Sequence, residues 1–341
     1  MKGINLDHCF IIAELSANHQ GDIKVAIETI KAAKRAGADA IKLQTYTADT
    51  ITLDVKNEYF KIDQGTAWDG RYLYDLYQEA YTPWEWHQEL FDVAKAEGLV
   101  CFSSPFDRTA VDFLEELDTP IYKIASFEIT DIPLIEYVAS KRKPIIISTG
   151  IATIEDIELA IQTCKDQGNH DITILKCTSQ YPAKPEDANL LTIPDIAERF
   201  QVKAGLSDHT LGIEAPIVAV ALGARVIEKH LILDKSIGGP DAHFSLDEQE
   251  FKAMADAVRT AESMLGKVDY ELTEAKNSSR TFSRSLFVSE DIKEGEILTE
   301  KNIRSVRPNH GLAPKHLNEV LGKAANKNLA KGTPLAHNDF Q

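Results

Sequence analysis

Cysteine is scarce in this chain: four residues in 341, at positions 9, 101, 164 and 177, with no CxxC pair. That spacing offers neither a disulfide framework nor a zinc site, and it reads as reduced thiols, mostly packed in a core. Long apolar runs are missing as well. The best, 215–224, is interrupted by Gly223 and too short to span a bilayer. Residues 1–12 lack the apolar stretch and small-residue cleavage site of a secretory leader. Basic charge is also limited, since 37 Lys and Arg against 53 Asp and Glu leave a net charge of −16. Such a balance argues against nucleic acid or an anionic membrane as the main partner. A cytoplasmic protein is expected.

What the chain does have is length and rhythm. At 341 residues it can bury a full core and has room for more than one domain. With 43% hydrophobic and 26% charged residues it falls in the ordinary globular range, which excludes wholesale disorder. Eight short apolar runs each lead to polar residues, mostly at intervals of 20 to 30 positions. Run 9–13 leads to Glu14, 38–41 to Lys42 and Gln44, and 99–102 to Ser103 and Ser104. Run 121–124 carries Lys123 and leads to Ser126, and 145–147 leads to Ser148. Run 172–175 leads to Cys177 and Ser179, 202–206 to Ser207, Asp208 and His209, and 225–227 to Glu228 and His230. Eight such units predict a (β/α)8 TIM barrel, whose chemistry sits at the C-terminal ends of its strands.

Helical spacing separates most of the runs. Asp22 stands where an N-cap is wanted, Ile23, Ile27, Ile30 and Ala33 recur on one face, and Gly37 suits a left-handed C′ position. Further helices are expected at 83–97, 109–117, 132–140, 154–167, 213–222 and 246–265, with a short one in 189–200. The connection 45–82 is long and aromatic, carrying Tyr46, Tyr59, Phe60, Trp68, Tyr72, Tyr74, Tyr77 and Tyr81. It reads either as a functional, lid-like loop or as a small satellite core. The rhythm stops near 267. The expected organisation is a barrel domain over 1–266, a linker over 267–283 and a small β-rich domain over 284–341. That last stretch echoes itself at an offset of 37, with Gly295 matching Gly332 and Leu298 matching Leu335.

Several residues at the strand ends could carry chemistry. His209 and His230 end consecutive strands, so they become neighbours despite the 21 residues between them. Two imidazoles with water and oxygen donors suit an octahedral Mn²⁺, Mg²⁺ or Co²⁺ better than a closed zinc site. The alternative is that each histidine bonds its own loop. Lys42, Lys123, Ser148, Ser179 and Ser207 can converge on one anion, with point charge from lysine and oriented donors from serine. Equally, the two lysines can pair with Glu14 and Glu228 in a structural network. Glu14 is a candidate general acid/base or hydroxyl anchor. Asp241, in Gly238-Gly-Pro-Asp241, is either a substrate contact or a turn residue. Arg307 is either a surface charge or a residue that reaches a barrel mouth.

These residues carry a resemblance. Ile12-Ala-Glu-Leu-Ser-Ala-Asn-His19, Lys42-Leu-Gln-Thr45, Tyr122-Lys-Ile-Ala-Ser126, Ser148-Thr-Gly150, Gly205-Leu-Ser-Asp-His-Thr210, Glu228-Lys-His230 and Gly239-Pro-Asp241 are similar to the sialic acid synthase family. The tail resembles its antifreeze-like (SAF) domain. Leu76-Tyr-Gln-Glu-Ala-Tyr-Thr-Pro-Trp-Glu-Trp86, Cys101-Phe-Ser-Ser-Pro-Phe-Asp107, Ser126-Phe-Glu-Ile-Thr-Asp131 and Glu228-Lys-His-Leu-Ile-Leu-Asp234 look most like the pseudaminic acid branch. The sialic-type branch reads Lys-His-Gln at Lys42-Leu-Gln44 and Asn at Ser179, so the departure bears on the sugar and not on the reaction.

The resemblance implies condensation of phosphoenolpyruvate with an open-chain acetamido sugar. For this branch the implied acceptor is 2,4-diacetamido-2,4,6-trideoxy-L-altrose. It implies catalytic roles for Glu14 and Glu228 and a divalent metal on His209 and His230. It further implies substrate contacts from Lys42, Gln44, Lys123, Ser126, Ser148, Ser179, Tyr181, Ser207 and Asp241. It also implies a homodimer that swaps its small domain, bringing Arg307 to the partner's site. Alternatives are a synthase for another acetamido sugar (sialic or legionaminic), a metal-dependent pyruvate aldolase, and a sugar-binding scaffold centred on the small domain.

Overall fold

A computed structural model of the protein describes residues 8–63, 65 and 68–341. The leader reading of residues 1–7 lies outside them. Eight parallel strands close into a barrel in chain order: β1 (Phe10–Glu14), β2 (Ala40–Thr45), β3 (Val100–Pro105), β4 (Tyr122–Ile124), β5 (Ile145–Ser148), β6 (Ile172–Cys177), β7 (Lys203–Asp208) and β8 (Val226–His230). β1 pairs with both β2 and β8, which completes the ring. A helix follows every strand, the (β/α)8 arrangement that the spacing predicts.

Side chains alternate between the two faces of a strand, and that alternation builds the site. Phe10, Ile12, Phe102, Ile146, Leu175 and Val226 belong to one buried apolar cluster. Their neighbours Ile11, Ile41, Leu43, Ile145, Ile147 and Ile227 belong to another, shared with the helices. Continuing the first set by two positions reaches Glu14, Ser104, Ser148, Cys177 and Glu228, so a polar layer caps an apolar floor. Gly205 on β7 keeps the floor closed. A Cβ there would lie 2.3 Å from the Val226 carbonyl oxygen and 2.7 Å from Leu175 Cδ2.

Local signals explain the helices. In Ile23–Arg35 the Asp22 carboxylate accepts from the Lys24 amide at 2.8 Å, and Gly37 takes φ +90° just past the end. Asp247 and Glu250 form a capping box at the start of Glu248–Leu265. Arg259 on that helix ties it to Asp39 at 2.7 Å. The expected helix within 189–200 begins at Thr192 and runs to Phe200.

The connection between β2 and β3 is less loop-like than its aromatics suggest. It contains helices at Ala48–Ile51 and Leu73–Ala80, because Leu73, Leu76, Tyr77 and Ala80 recur at helical spacing. Tyr46 packs edge-on against Tyr77 and Phe106, a satellite core, whereas Tyr59 is exposed. Trp68 instead contacts Tyr181 at 5.6 Å between ring centroids, and its indole N–H donates to the Pro240 carbonyl at 3.2 Å.

The chain divides after Gly266 into two compact units. The stretch read as a linker contains a short helix, Glu274–Arg280, capped by Thr273. Beyond it β9 (Ser285–Val288) and β10 (Ile303–Val306) pair antiparallel. The internal echo has a structural counterpart: Gly295 and Gly332 both adopt positive φ, and Leu298 and Leu335 are both fully buried. All four cysteines are free and buried. Among the described residues, no helix is long and apolar enough to cross a membrane.

Candidate active site

The polar layer begins as a buried charge network. Lys42 pairs closely with Glu14, and its Nζ is 3.7 Å from Glu228 Oε1 and 3.4 Å from Ser104 Oγ. Lys123 Nζ donates to the same Glu228 oxygen at 3.3 Å, and Ser207 Oγ donates to it at 3.1 Å. Gln44 Nε2 donates to Glu14 Oε1 at 3.2 Å. The structural network considered from the sequence is therefore present.

Burial and pairing set the protonation of this network. Burial pushes the Glu14 carboxyl up, aided by the Glu228 charge and opposed by Lys42. Burial also works against ionised Glu228, yet Lys123 and Lys42 hold it below the ordinary carboxylate range. Desolvation lowers Lys123, while in Lys42 the attraction of Glu14 and Glu228 outweighs it. Glu14 is thus the member that takes a proton readily. Besides Glu14 Oε2, which faces Lys42, two buried oxygens of the layer, Ser148 Oγ and Glu228 Oε2, have no hydrogen-bond partner among the described residues.

A second group lies on the loops after β4, β5 and β6. Ser126 and Ser179 hydroxyls are 2.6 Å apart. Gly150 makes room for that pair, since a Cβ there would fall 1.9 Å from Ser179 Oγ and 2.8 Å from Ser126 Oγ. Glu128 closes the short turn Ser126–Glu128 and is not among the residues that the sequence singles out. Its Oε2 is buried without a hydrogen-bond partner among the described residues, and desolvation, opposed by Lys123, raises its carboxyl to about 7. The available signal was position alone, two residues beyond Ser126 in a strand-end motif.

His209 and His230 do become neighbours, with ring centroids 5.4 Å apart. His209 Nδ1 is 3.0 Å from the Thr178 carbonyl, which directs the other ring nitrogen elsewhere. Cys177 Sγ also approaches His209 Nδ1, at 3.9 Å. His230 Nδ1 is buried without a hydrogen-bond partner among the described residues, 3.8 Å from Asp241 Oδ2. Burial, with the nearby His209 and lysines, keeps His230 neutral. The neutral His230, with its unpartnered nitrogen beside a carboxylate, suits a divalent ion. At His209 burial is outweighed by Cys177, which raises that imidazole above its ordinary value, so His209 would give up its proton to share the ion. No cluster of three or more His, Cys, Asp and Glu side chains suited to a metal occurs among the described residues. Such an ion would therefore take its remaining donors from water and substrate.

Tyr181 lies between the histidines and the aromatic connection, its ring 4.4 Å from His209 and 5.2 Å from Phe244. Asp241 is held in place by its neighbours: the Ala17 amide donates to Oδ2 at 3.4 Å and Ser245 Oγ to its carbonyl at 2.7 Å. Arg307 belongs to the C-terminal unit, where it borders a shallow, open surface depression with Lys276, Arg280 and Phe282.

The strand-end chemistry has a family counterpart. The NeuB family model matches residues 29–270 and the SAF domain model matches residues 283–341. The chain belongs to the NeuB family. It is 53% identical to the pseudaminic acid synthase of Campylobacter jejuni over 332 residues, covering 97% of this chain and 96% of that protein. It is 51% identical to the pseudaminic acid synthase of Helicobacter pylori, covering 97% of each. Among solved structures, the spore coat polysaccharide biosynthesis protein SpsE of Bacillus subtilis superposes with a TM-score of 0.66 at 34% identity. That match covers 98% of this chain and 95% of SpsE. This NeuB-family barrel therefore has relatives of matching length as well as matching fold.

Proposed function

We propose that this chain condenses phosphoenolpyruvate with the open-chain aldehyde of 2,4-diacetamido-2,4,6-trideoxy-L-altrose, producing pseudaminic acid and phosphate. The observation that carries this reading is the 53% identity, nearly end to end, to the C. jejuni pseudaminic acid synthase. The barrel chemistry supports it, because two buried lysines, an unpartnered hydroxyl oxygen and two adjacent imidazoles suit an anionic donor and a carbonyl acceptor.

Lys42, Lys123, Ser148, Ser179 and Ser207 bind phosphoenolpyruvate, with Ser126 setting Ser179. The arriving anion competes with Glu14 and Glu228 for the lysines. Glu14, whose carboxyl burial already favours in the neutral form, takes up a proton and frees Lys42 for the donor. Gln44, Tyr181 and Asp241 orient the acceptor. C3 of phosphoenolpyruvate forms the new bond to the aldehyde carbon, and the aldehyde oxygen receives a proton from Glu14. Water adds to the cationic C2 and gives its proton to Glu128, which exchanges protons near neutrality. The C2–O bond to phosphate then breaks, and the hydroxyl proton leaves with phosphate. Glu228 stays ionised and holds Lys123 and Ser207 in place. His209 and His230 would hold Mn²⁺, Mg²⁺ or Co²⁺, which when bound polarises the aldehyde oxygen.

The proposal includes a cytoplasmic homodimer in which each chain lends its small domain, and hence Arg307, to the partner's barrel. Exposed Met264, Val268, Tyr270 and Phe282 along the connecting stretch support an assembly that covers them. Phosphate release from phosphoenolpyruvate with Mn²⁺ tests the reaction, using the altrose acceptor, its gluco-configured counterpart and N-acetylmannosamine. Release with the altrose acceptor alone is expected. Release only with another acceptor overturns the sugar assignment, and condensation of pyruvate without phosphate release overturns the reaction.

A further inference from the structure

The outward face at the ends of β7 and β8 carries a charge pair that the proposed reaction leaves unused. Lys229 and Asp208 side chains are essentially inaccessible, with Nζ 2.5 Å from Oδ2. At the preceding outward positions of the same two strands, Leu206 and Ile227, this face is apolar. An apolar pair would fill the space at similar or better stability, since desolvating two charges offsets most of their attraction. Stability is therefore a poor reason for placing this pair here.

What the pair does is hold backbone. Asp208 Oδ1 accepts from both the amide and the hydroxyl of Thr210, at 2.9 Å and 2.8 Å. Lys229 Nζ donates to the Thr210 carbonyl at 2.5 Å. Thr210 is thus gripped at three polar atoms, on the residue next to His209. The His209 carbonyl in turn accepts from the Ala183 amide at 2.9 Å, joining the loop that carries Ser179 and Tyr181. Asp208 and Lys229 also face each other in the β7–β8 register, so each is one residue from a histidine of the pair.

We propose that Asp208, Lys229 and Thr210 form a clamp that positions His209 and His230 for metal. The inference rests on the metal reading of those histidines given above. These are positioning residues, acting through the backbone of the residues beside them. Partners that orient metal ligands are typically worth about 10–100-fold in metal affinity.

The test is Mn²⁺ binding by the purified full chain, read from the paramagnetic resonance of free Mn²⁺, alongside thermal unfolding. The Asp208→Leu/Lys229→Met double variant removes both charges together and leaves neither one buried alone. Expected is parental unfolding with Mn²⁺ affinity weaker by about 10–100-fold. Parental unfolding with parental affinity overturns the clamp and leaves the pair structural. If the double variant does not fold, Thr210→Val decides, because it deletes only the gripped hydroxyl. Affinity at least about threefold weaker supports the clamp, and unchanged affinity overturns it. His209→Ala separates this failure from failure of the metal reading. If it binds Mn²⁺ like the parent, the metal reading falls and the clamp with it. If it loses Mn²⁺ while the clamp variants keep it, only the clamp falls.

Discussion

Replacing Glu128 by Gln should stabilise the protein above neutrality and leave its stability almost unchanged in acid. The folded chain holds the Glu128 carboxyl at about 7, against an ordinary value of 4.5, chiefly because burial penalises its charge. In the unfolded chain the same group ionises near the ordinary value. As pH rises from about 4.5 to about 7, the unfolded state therefore loses a proton that the folded state keeps, and folding weakens across that window. Above it both states are ionised and the loss is complete. At 1.36 kcal/mol per unit, the full shift corresponds to roughly 3 kcal/mol. The side chain is only partly buried although its Oε2 is sealed, so a gap of about 1–3 kcal/mol is expected. Gln does not titrate and escapes this loss. Urea unfolding of parent and variant at about pH 4, 6 and 8 measures the gap, and other raised acids such as Glu14 cancel in the difference. A gap that does not grow with pH, or a variant less stable at about pH 8, refutes the reasoning.

Three further outcomes are expected. Gly150→Ala should break the Ser126–Ser179 pair and raise KM for phosphoenolpyruvate by about tenfold or more, with the circular dichroism of the fold unchanged. Wild-type KM would show that this pair does not contact the donor. Lys123→Met leaves Glu228 with Lys42 as its remaining cation and should lower kcat/KM for phosphoenolpyruvate by about 100-fold or more, measured by phosphate release. A fall below about tenfold removes Lys123 from the anion site. Exhaustive chelation should abolish turnover, and Mn²⁺ should restore it. Undiminished turnover after chelation excludes the proposed role of His209 and His230.

Much of the barrel was legible because one signal repeats. An apolar run followed by a polar residue specifies both a strand and its open end, so Glu14, Lys123, Ser148, Ser207 and Glu228 could be named in advance. The pairing inside the site could not. That Ser126 meets Ser179 across 53 residues depends on the ring closing and on Gly150 leaving space. Glu128 lies past the end of its run, in a turn whose middle residue, Phe127, is exposed, so no periodic pattern marks it. In residues 46–81 the density of tyrosine and tryptophan masked the helical spacing around Leu76. The stretch after Gly266 reads as a linker by composition, yet Thr273 can start a helix there because its hydroxyl accepts from the Lys276 amide, one of the free amides of the first turn.

The strict alternation along the barrel strands makes counting a form of chemistry in this protein. Adding or removing one residue within β8 would swap Glu228 with Lys229 and His230 with its neighbour, turning the charged face inside out while changing no other residue. The strands are therefore closed to insertions and deletions. A change of length within the connection 46–81 leaves that alternation untouched. The reaction centre meanwhile keeps its address, measured in residues from the apolar floor.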